Sequence, residues 1–190
     1  ASTVMLGCCG GYEIVPITKV FNTTNGNHHA FIIDKSGSMS QDNRLGMAQR
    51  ALVDSLRQLG AKKKFYIYFF DSGTRPWIND KNSSKYALQW EVDAAEIWIN
   101  GMRPGGCTNP LGAIKDTFNR IGPDTVWLLT DGRFNCPGGG GAVHKLISSL
   151  NPNQNVSVNT VGFHRKPENV DSILGNIARD NNGTFYFSRS

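Results

Sequence analysis

The stretch Ala30 to Ser40, AFIIDKSGSMS, constrains the fold more than any other part of the chain. Four apolar residues run directly into Asp34, and Gly37 then separates Ser36 from Ser38. A continuous apolar run suits a strand buried on both faces of a parallel sheet. In open α/β sheets, ligands sit beyond the carboxyl ends of the strands. Asp34, Ser36 and Ser38 therefore offer a carboxylate and two hydroxyls where such folds bind things. These are hard oxygen donors, suited to Mg²⁺, Mn²⁺ or Ca²⁺ rather than to zinc, which prefers His and Cys. A polar turn, with Ser36 or Ser38 capping the next helix, accounts for the same three residues. Both readings stand on this stretch alone.

The remaining periodicity extends the pattern. A chain of 190 residues is long enough for one domain with a sizeable core. Residues 1–11 end in GCCGG and read as a flexible lead-in, with a single domain over 12–190. Ile14 to Phe21 reads as an edge strand with Pro16 near its start, and Asn22 to Asn27 as a turn. His28 to Asp34 is a strand, Asn43 to Leu59 a helix stopped by Gly60, and Lys64 to Phe70 an aromatic strand ending at Asp71. Gly73 to Asn79 reads as a short antiparallel edge blunted by Pro76. Ser83 to Met102 reads as a helix with Trp90, Ala94, Ile97 and Trp98 inward. Leu111 to Ile121 is a helix after Pro110. Thr125 to Thr130 is a strand ending at Asp131-Gly132. The glycines of Asn135 to Gly141 suggest a mobile loop. The helix Ala142 to Leu150, strand Asn155 to Phe163, helix Glu168 to Asp180 and strand Thr184 to Ser188 complete the order.

Strands alternating with helices predict an α/β, Rossmann-like doubly wound, mostly parallel sheet with one antiparallel edge strand and helices on both faces. Right-handed crossovers place every strand-to-helix loop on one edge. Asp34, Asp71, Asp131 and His164 fall on that edge.

Three loops there carry oxygen groups: DKSGS at Asp34 to Ser38, CTNP at Cys107 to Pro110, and TDG at Thr130 to Gly132. With these residues the chain resembles a von Willebrand factor A domain bearing a metal-ion-dependent adhesion site, over roughly Phe21 to Ser188. That family has D-x-S-x-S after its first central strand, a Thr in a glycine-rich loop, and Asp-Gly after a later strand. Asp34, Ser36, Ser38, Thr108 and Asp131 match in order. The resemblance implies that Ser36 and Ser38 coordinate a divalent cation directly, Mg²⁺ foremost and Mn²⁺ or Ca²⁺ as alternatives. It implies that Thr108 binds directly or through water, and that Asp34 and Asp131 act partly through water. The vacant position is then filled by an Asp or Glu carboxylate of a protein or extracellular polymer. The implied function is a non-enzymatic binding or adhesion module, set in the extracellular space or cell envelope, with a cytoplasmic setting also open. Arg44, Arg103, Arg133, Arg165 and Lys166 are expected near this face. Asp71 is a candidate outer group or a turn residue. His28 begins the strand that Asp34 ends, about 20 Å away, so His28 and His29 fall outside the site.

Cys107 stands where the family often has Gly, and Cys136 follows Asp131 by five positions. A Cys107–Cys136 disulfide would tie two metal-bearing loops; two free thiols are the alternative. No CxxC pair points to structural zinc. Asn22, Asn82, Asn155 and Asn182 fit N-x-Ser/Thr, which matters only in a eukaryotic secretory setting.

Other classes fit less well. The net charge of +5 is scattered apart from Lys62-Lys63-Lys64, and no aromatic-rich basic motif suggests nucleic acid. No apolar run reaches the ~20 residues of a membrane span, and no intact signal peptide is visible at Ala1 to Leu6. A structural or assembly scaffold with metal-independent contacts is the main alternative. A metal-dependent phosphatase-like enzyme is a minor one: Ser36 stands where haloacid-dehalogenase-like enzymes have a second Asp, and no G-x-S-x-G is present.

Overall fold

In the computed structural model, residues 3–8, 11–16, 26–77, 83–164 and 171–189 are described. Three apolar runs become central strands with the bounds expected: β3 (His28–Asp34), β4 (Lys64–Phe70) and β7 (Thr125–Thr130). With β8 (Ser157–His164) and β9 (Phe185–Arg189) they form a parallel core in the order β9-β8-β7-β3-β4. Every pair in that core is parallel. The sheet is mostly parallel with helices on both faces, as the alternation of elements predicts.

Antiparallel strands finish the edges. β5 (Thr74–Pro76) pairs with β4 as expected, Pro76 closing it. The two-residue strand β6 (Lys85–Tyr86) also pairs with β4. On the far edge β1 (Thr3–Cys8) joins β9 and pairs with β2 (Gly11–Pro16). Thr3–Cys8 lies within the expected lead-in; Val4, Met5 and Leu6 supply the strand residues that extend β9. The expected edge strand over 14–21 overlaps β2, which does form the edge of the sheet and begins at Gly11; residues 17–25 lie outside the described residues.

Side chains alternate between two cores, as the period-2 geometry of strands requires. Phe31, Ile33, Phe65, Ile67, Trp127 and Leu129 face α1 (Arg44–Leu59) and α2 (Gln89–Asn100). Ala30, Ile32, Tyr66, Tyr68, Val126 and Leu128 face α3 (Leu111–Asp116), α4 (Gly139–Leu150) and α5 (Asp171–Arg179). A π-turn, Thr117–Ile121, extends α3.

Two expectations are corrected here. The helix over 83–102 is shortened to Gln89–Asn100, and its buried face is Val92, Ala95 and Ile99; Trp90 and Ile97 are 66% and 77% exposed and Ala94 is exposed, while Trp98 packs partly buried against Phe69 as expected. The glycine run is not a loop throughout: Gly138 takes φ +82° and α4 begins at Gly139. A Cβ on Gly140 would lie 2.8 Å from Ile173 Cγ1, so the small residue lets α4 approach α5.

Candidate functional site

The parallel core points all its carboxyl ends one way, and the loops after β3, β4 and β7 meet there. Asp34, the last residue of β3, is fully buried. Its Oδ1 accepts the Ser36 amide N–H at 2.8 Å, and its Oδ2 accepts the Thr130 hydroxyl at 2.6 Å. The second bond ties the end of β3 to the end of β7. Ser36 and Ser38 bring their hydroxyls to 3.2 Å of each other. Ser36 stands at the cap position of the turn Gly37–Asn43 but makes no side-chain capping bond. Its buried hydroxyl meets that of Ser38 instead, contrary to the capping alternative.

The Thr108 loop is stitched to this turn by backbone bonds. Gly37 N–H donates to Gly106 O at 3.1 Å, and Gly105 N–H to Lys35 O at 2.8 Å. Gly106 takes φ +73°, and a Cβ there would come within 2.9 Å of Ser72 Oγ. Only glycine lets the loop pass so close to the end of β4. Asn135 N–H donates to Thr108 O at 3.0 Å, joining this loop to the one after β7. Thr108 is 2% exposed and Asp131 is fully buried. The structure thus gathers Asp34, Ser36, Ser38, Thr108 and Asp131 at one edge, on three loops bonded to one another.

Burial pushes the Asp34 carboxyl up to about 6, against the pull of the Thr130 and Ser36 hydrogen bonds, and the charge of Asp131 adds to the rise. A buried Asp34 carboxyl beside the charge of Asp131 makes a place a cation would relieve. With three hydroxyls beside them the donor set is all oxygen, which fits Mg²⁺, Mn²⁺ or Ca²⁺. Among the described residues no group of three or more His, Cys, Asp and Glu could hold a metal, so a site of the nitrogen–sulfur kind is not found there.

Arg44 lies at this face as expected, through its bond to Asp131, and other charged groups pair locally. Arg44 does not face solvent: it is 2% exposed, and its Nη1 donates to Asp131 Oδ2 at 3.1 Å. Asp71 pairs with the buried Lys35 and accepts the Gly73 N–H at 2.9 Å. Burial works upward on Asp71, but the Lys35 and Gly73 bonds carry its carboxyl below the ordinary range. It is therefore a turn and ion-pair residue. Arg103 bonds Asn100 O and Met102 O, Arg133 is exposed, and Arg165 and Lys166 lie outside the described residues. His28 bonds Ser84 and His29 bonds Gly26 O at the opposite end of β3. Cys107 and Cys136 are free thiols, one exposed and one buried, and burial pushes Cys136 up. The sequence reading missed Thr130 as the tie to Asp34, and Lys35 as a buried cation. The polar Thr closing the β7 run, TVWLLT, was the available signal for the first.

A family model described as von Willebrand factor type A domain matches residues 29–187. The human von Willebrand factor A domain-containing protein 3B is 26% identical over 163 residues, covering 82% of this chain and 11% of that protein. The chain therefore spans about a tenth of that relative's length. Among solved structures, the pilus adhesin SpaC from Lactobacillus rhamnosus GG superposes with a TM-score of 0.66 at 13% identity, over 88% of this chain and 29% of that one. Proximal thread matrix protein 1 from the mussel byssus, with a zinc-occupied metal-ion-dependent adhesion site, superposes with a TM-score of 0.63 at 19% identity, over 85% and 41%. The family match, the parallel sheet and the loops at its carboxyl edge agree: the chain belongs to the von Willebrand factor type A domain family.

Proposed function

We propose that this chain is a non-enzymatic binding module that holds a divalent cation through Ser36, Ser38 and Thr108, with Asp34 and Asp131 behind them. Mg²⁺ is the ion best matched to this donor set, since it keeps several waters and takes few carboxylates. When bound, the cation supplies an electrophilic position for a carboxylate from a protein or extracellular polymer. The protein's own residues fix the donors: Thr130 anchors Asp34, the Gly106 loop presents Thr108, and Arg44 restrains Asp131. The observation that carries this reading is the pair of buried carboxylates, Asp34 and Asp131, on strand ends joined by the Thr130–Asp34 bond. The adhesin and zinc-bearing relatives support a binding role in the envelope or extracellular space.

The test is retention on immobilised poly-glutamate at about 1 M salt, where attraction between exposed charges is screened beyond about 3 Å. Retention with Mg²⁺, lost with chelator and in Asp34→Ala, is expected. Equal retention under all three conditions would contradict the reading.

A second reading, a metal-independent assembly scaffold, is favoured by one observation. Tyr86, Trp90 and Ile97 are exposed at 48%, 66% and 77%. Size-exclusion chromatography with chelator present separates the two: self-association lost in Trp90→Ala would favour the scaffold.

A further inference from the structure

We propose that Arg44 keeps the Asp131 carboxylate from closing directly onto the bound cation, and so leaves the ion open to a partner's carboxylate. This inference rests on the metal-site reading above and assigns a positioning role within it.

Both oxygens of Asp131 are engaged. Oδ2 accepts Arg44 Nη1–H at 3.1 Å, and Oδ1 accepts the Arg133 amide N–H at 3.2 Å. Arg44 Nη2 lies 3.7 Å from Asp42 Oδ2, so the guanidinium is also held from its far side. Asp34 is treated differently: its oxygens accept an amide N–H and a hydroxyl, with no cation among these bonds. One carboxylate of the pair is thus anchored by a positive charge and the other by neutral donors.

The local chain gives up stability to put Arg44 there. Arg44 is the first residue of α1, where the helix dipole disfavours positive charge. It is 2% exposed, so the guanidinium is largely stripped of water. The two residues before it, Asp42 and Asn43, take φ +51° and +56°, a left-handed pair without glycine. A Cβ on Gly46 would fall 2.3 Å from Asn43 Oδ1, so the first turn of the helix is fitted to this strained entry. The helix dipole, the uncapped start and the loss of solvation oppose the placement. What it achieves is the bond to Asp131.

That bond has a chemical consequence. A divalent cation beside two buried carboxylates draws both inward, and two direct carboxylates would neutralise it. A guanidinium on one of them opposes the approach and keeps that charge at a distance. The ion then remains deficient in anionic ligands, which is the condition for taking a carboxylate from outside.

The test uses the chain with Mn²⁺ as probe. Electron paramagnetic resonance of free Mn²⁺ gives affinity, and water-proton relaxation enhancement reads the waters kept on the bound ion. For Arg44→Gln, Mn²⁺ binding is expected to tighten several-fold while the enhancement falls by about the contribution of one water, as Asp131 becomes a direct ligand. Arg44→Lys, which keeps the charge but loses the planar fork, should fall between. In an Asp131→Asn background the Arg44→Gln effect should vanish. A loss of about 10–100-fold in Mn²⁺ affinity would mark Arg44 as an ordinary support for the site and overturn the proposal. Unchanged affinity and unchanged enhancement would overturn it too. Should Arg44→Gln fail to fold, Arg44→Lys decides: an enhancement equal to the wild type overturns the proposal. A wild-type chain that takes no Mn²⁺ would bring down the metal-site reading itself, a failure separate from one confined to Arg44.

Discussion

Asp34 meets two opposed demands. Its place at the end of β3 requires burial, and burial raises its carboxyl to about 6, whereas an unfolded aspartate titrates near 3.8. Between those values the folded chain holds the proton and the unfolded chain has lost it, so stability falls as pH rises from about 4 to 6. Above that window ionised Asp34 costs the metal-free fold roughly 3 kcal/mol at 1.36 kcal/mol per pKa unit. Asp34→Asn should therefore stabilise the metal-free protein by about 1–3 kcal/mol in denaturant unfolding at pH 7.5. The advantage should shrink towards pH 4, and the variant should no longer take up a divalent cation. Equal or lower stability of the variant at pH 7.5 would show that Asp34 is not strained by its burial. The residues of the candidate site were legible as neighbours because D-x-S-x-S follows an apolar run and such runs end at a sheet edge. Arg44 was legible only as a charge near that edge. Its burial depends on the left-handed turn at Asp42 and Asn43, which nothing in the local composition announces.

Among the elements, α2 marks where periodicity stops being informative. Trp90, Val92, Ala94, Ala95, Ile97, Trp98 and Ile99 place apolar groups on nearly every side of the helix, so the pattern fits more than one inward face. The two tryptophans weight the sequence reading towards one face. Packing against β4 and α1 keeps Trp98 partly buried on Phe69, as the sequence suggests, but turns Val92, Ala95 and Ile99 inward in place of Trp90, Ala94 and Ile97. Ile99→Ala should cost about 2–5 kcal/mol by leaving a cavity. Trp90→Ala and Ile97→Ala should stay within about 0.5 kcal/mol. Denaturant unfolding of the three variants checks this; a large cost for Trp90→Ala would restore the face suggested by the sequence. The strands β3, β4 and β7 were easier to read. Each is buried on both faces, so its apolar run is continuous and carries its own ends.

For the whole molecule, the parallel core follows from the alternation of strands and helices, and the edge that gathers the site follows from that core. The periphery was less legible. β1 and β2 flank a glycine-rich stretch that reads as a loop, and β6, two residues long, lacks the length that sets a strand apart from a turn. The loops at the carboxyl edge reach one another through backbone bonds such as Asn135 to Thr108, which any residue can make and no side-chain pattern records. The net charge of +5 does not produce the candidate site, where two buried acids, Asp34 and Asp131, lie among the buried cations Arg44 and Lys35.

Isothermal titration of Mg²⁺, Mn²⁺ and Ca²⁺ into the chain at pH 7.5, with Ser36→Ala as control, tests the central claim most directly. One ion per chain, with uptake abolished by Ser36→Ala, is the expected result. No heat with any of the three ions, or identical uptake by the variant, would mean that these loops do not hold a cation.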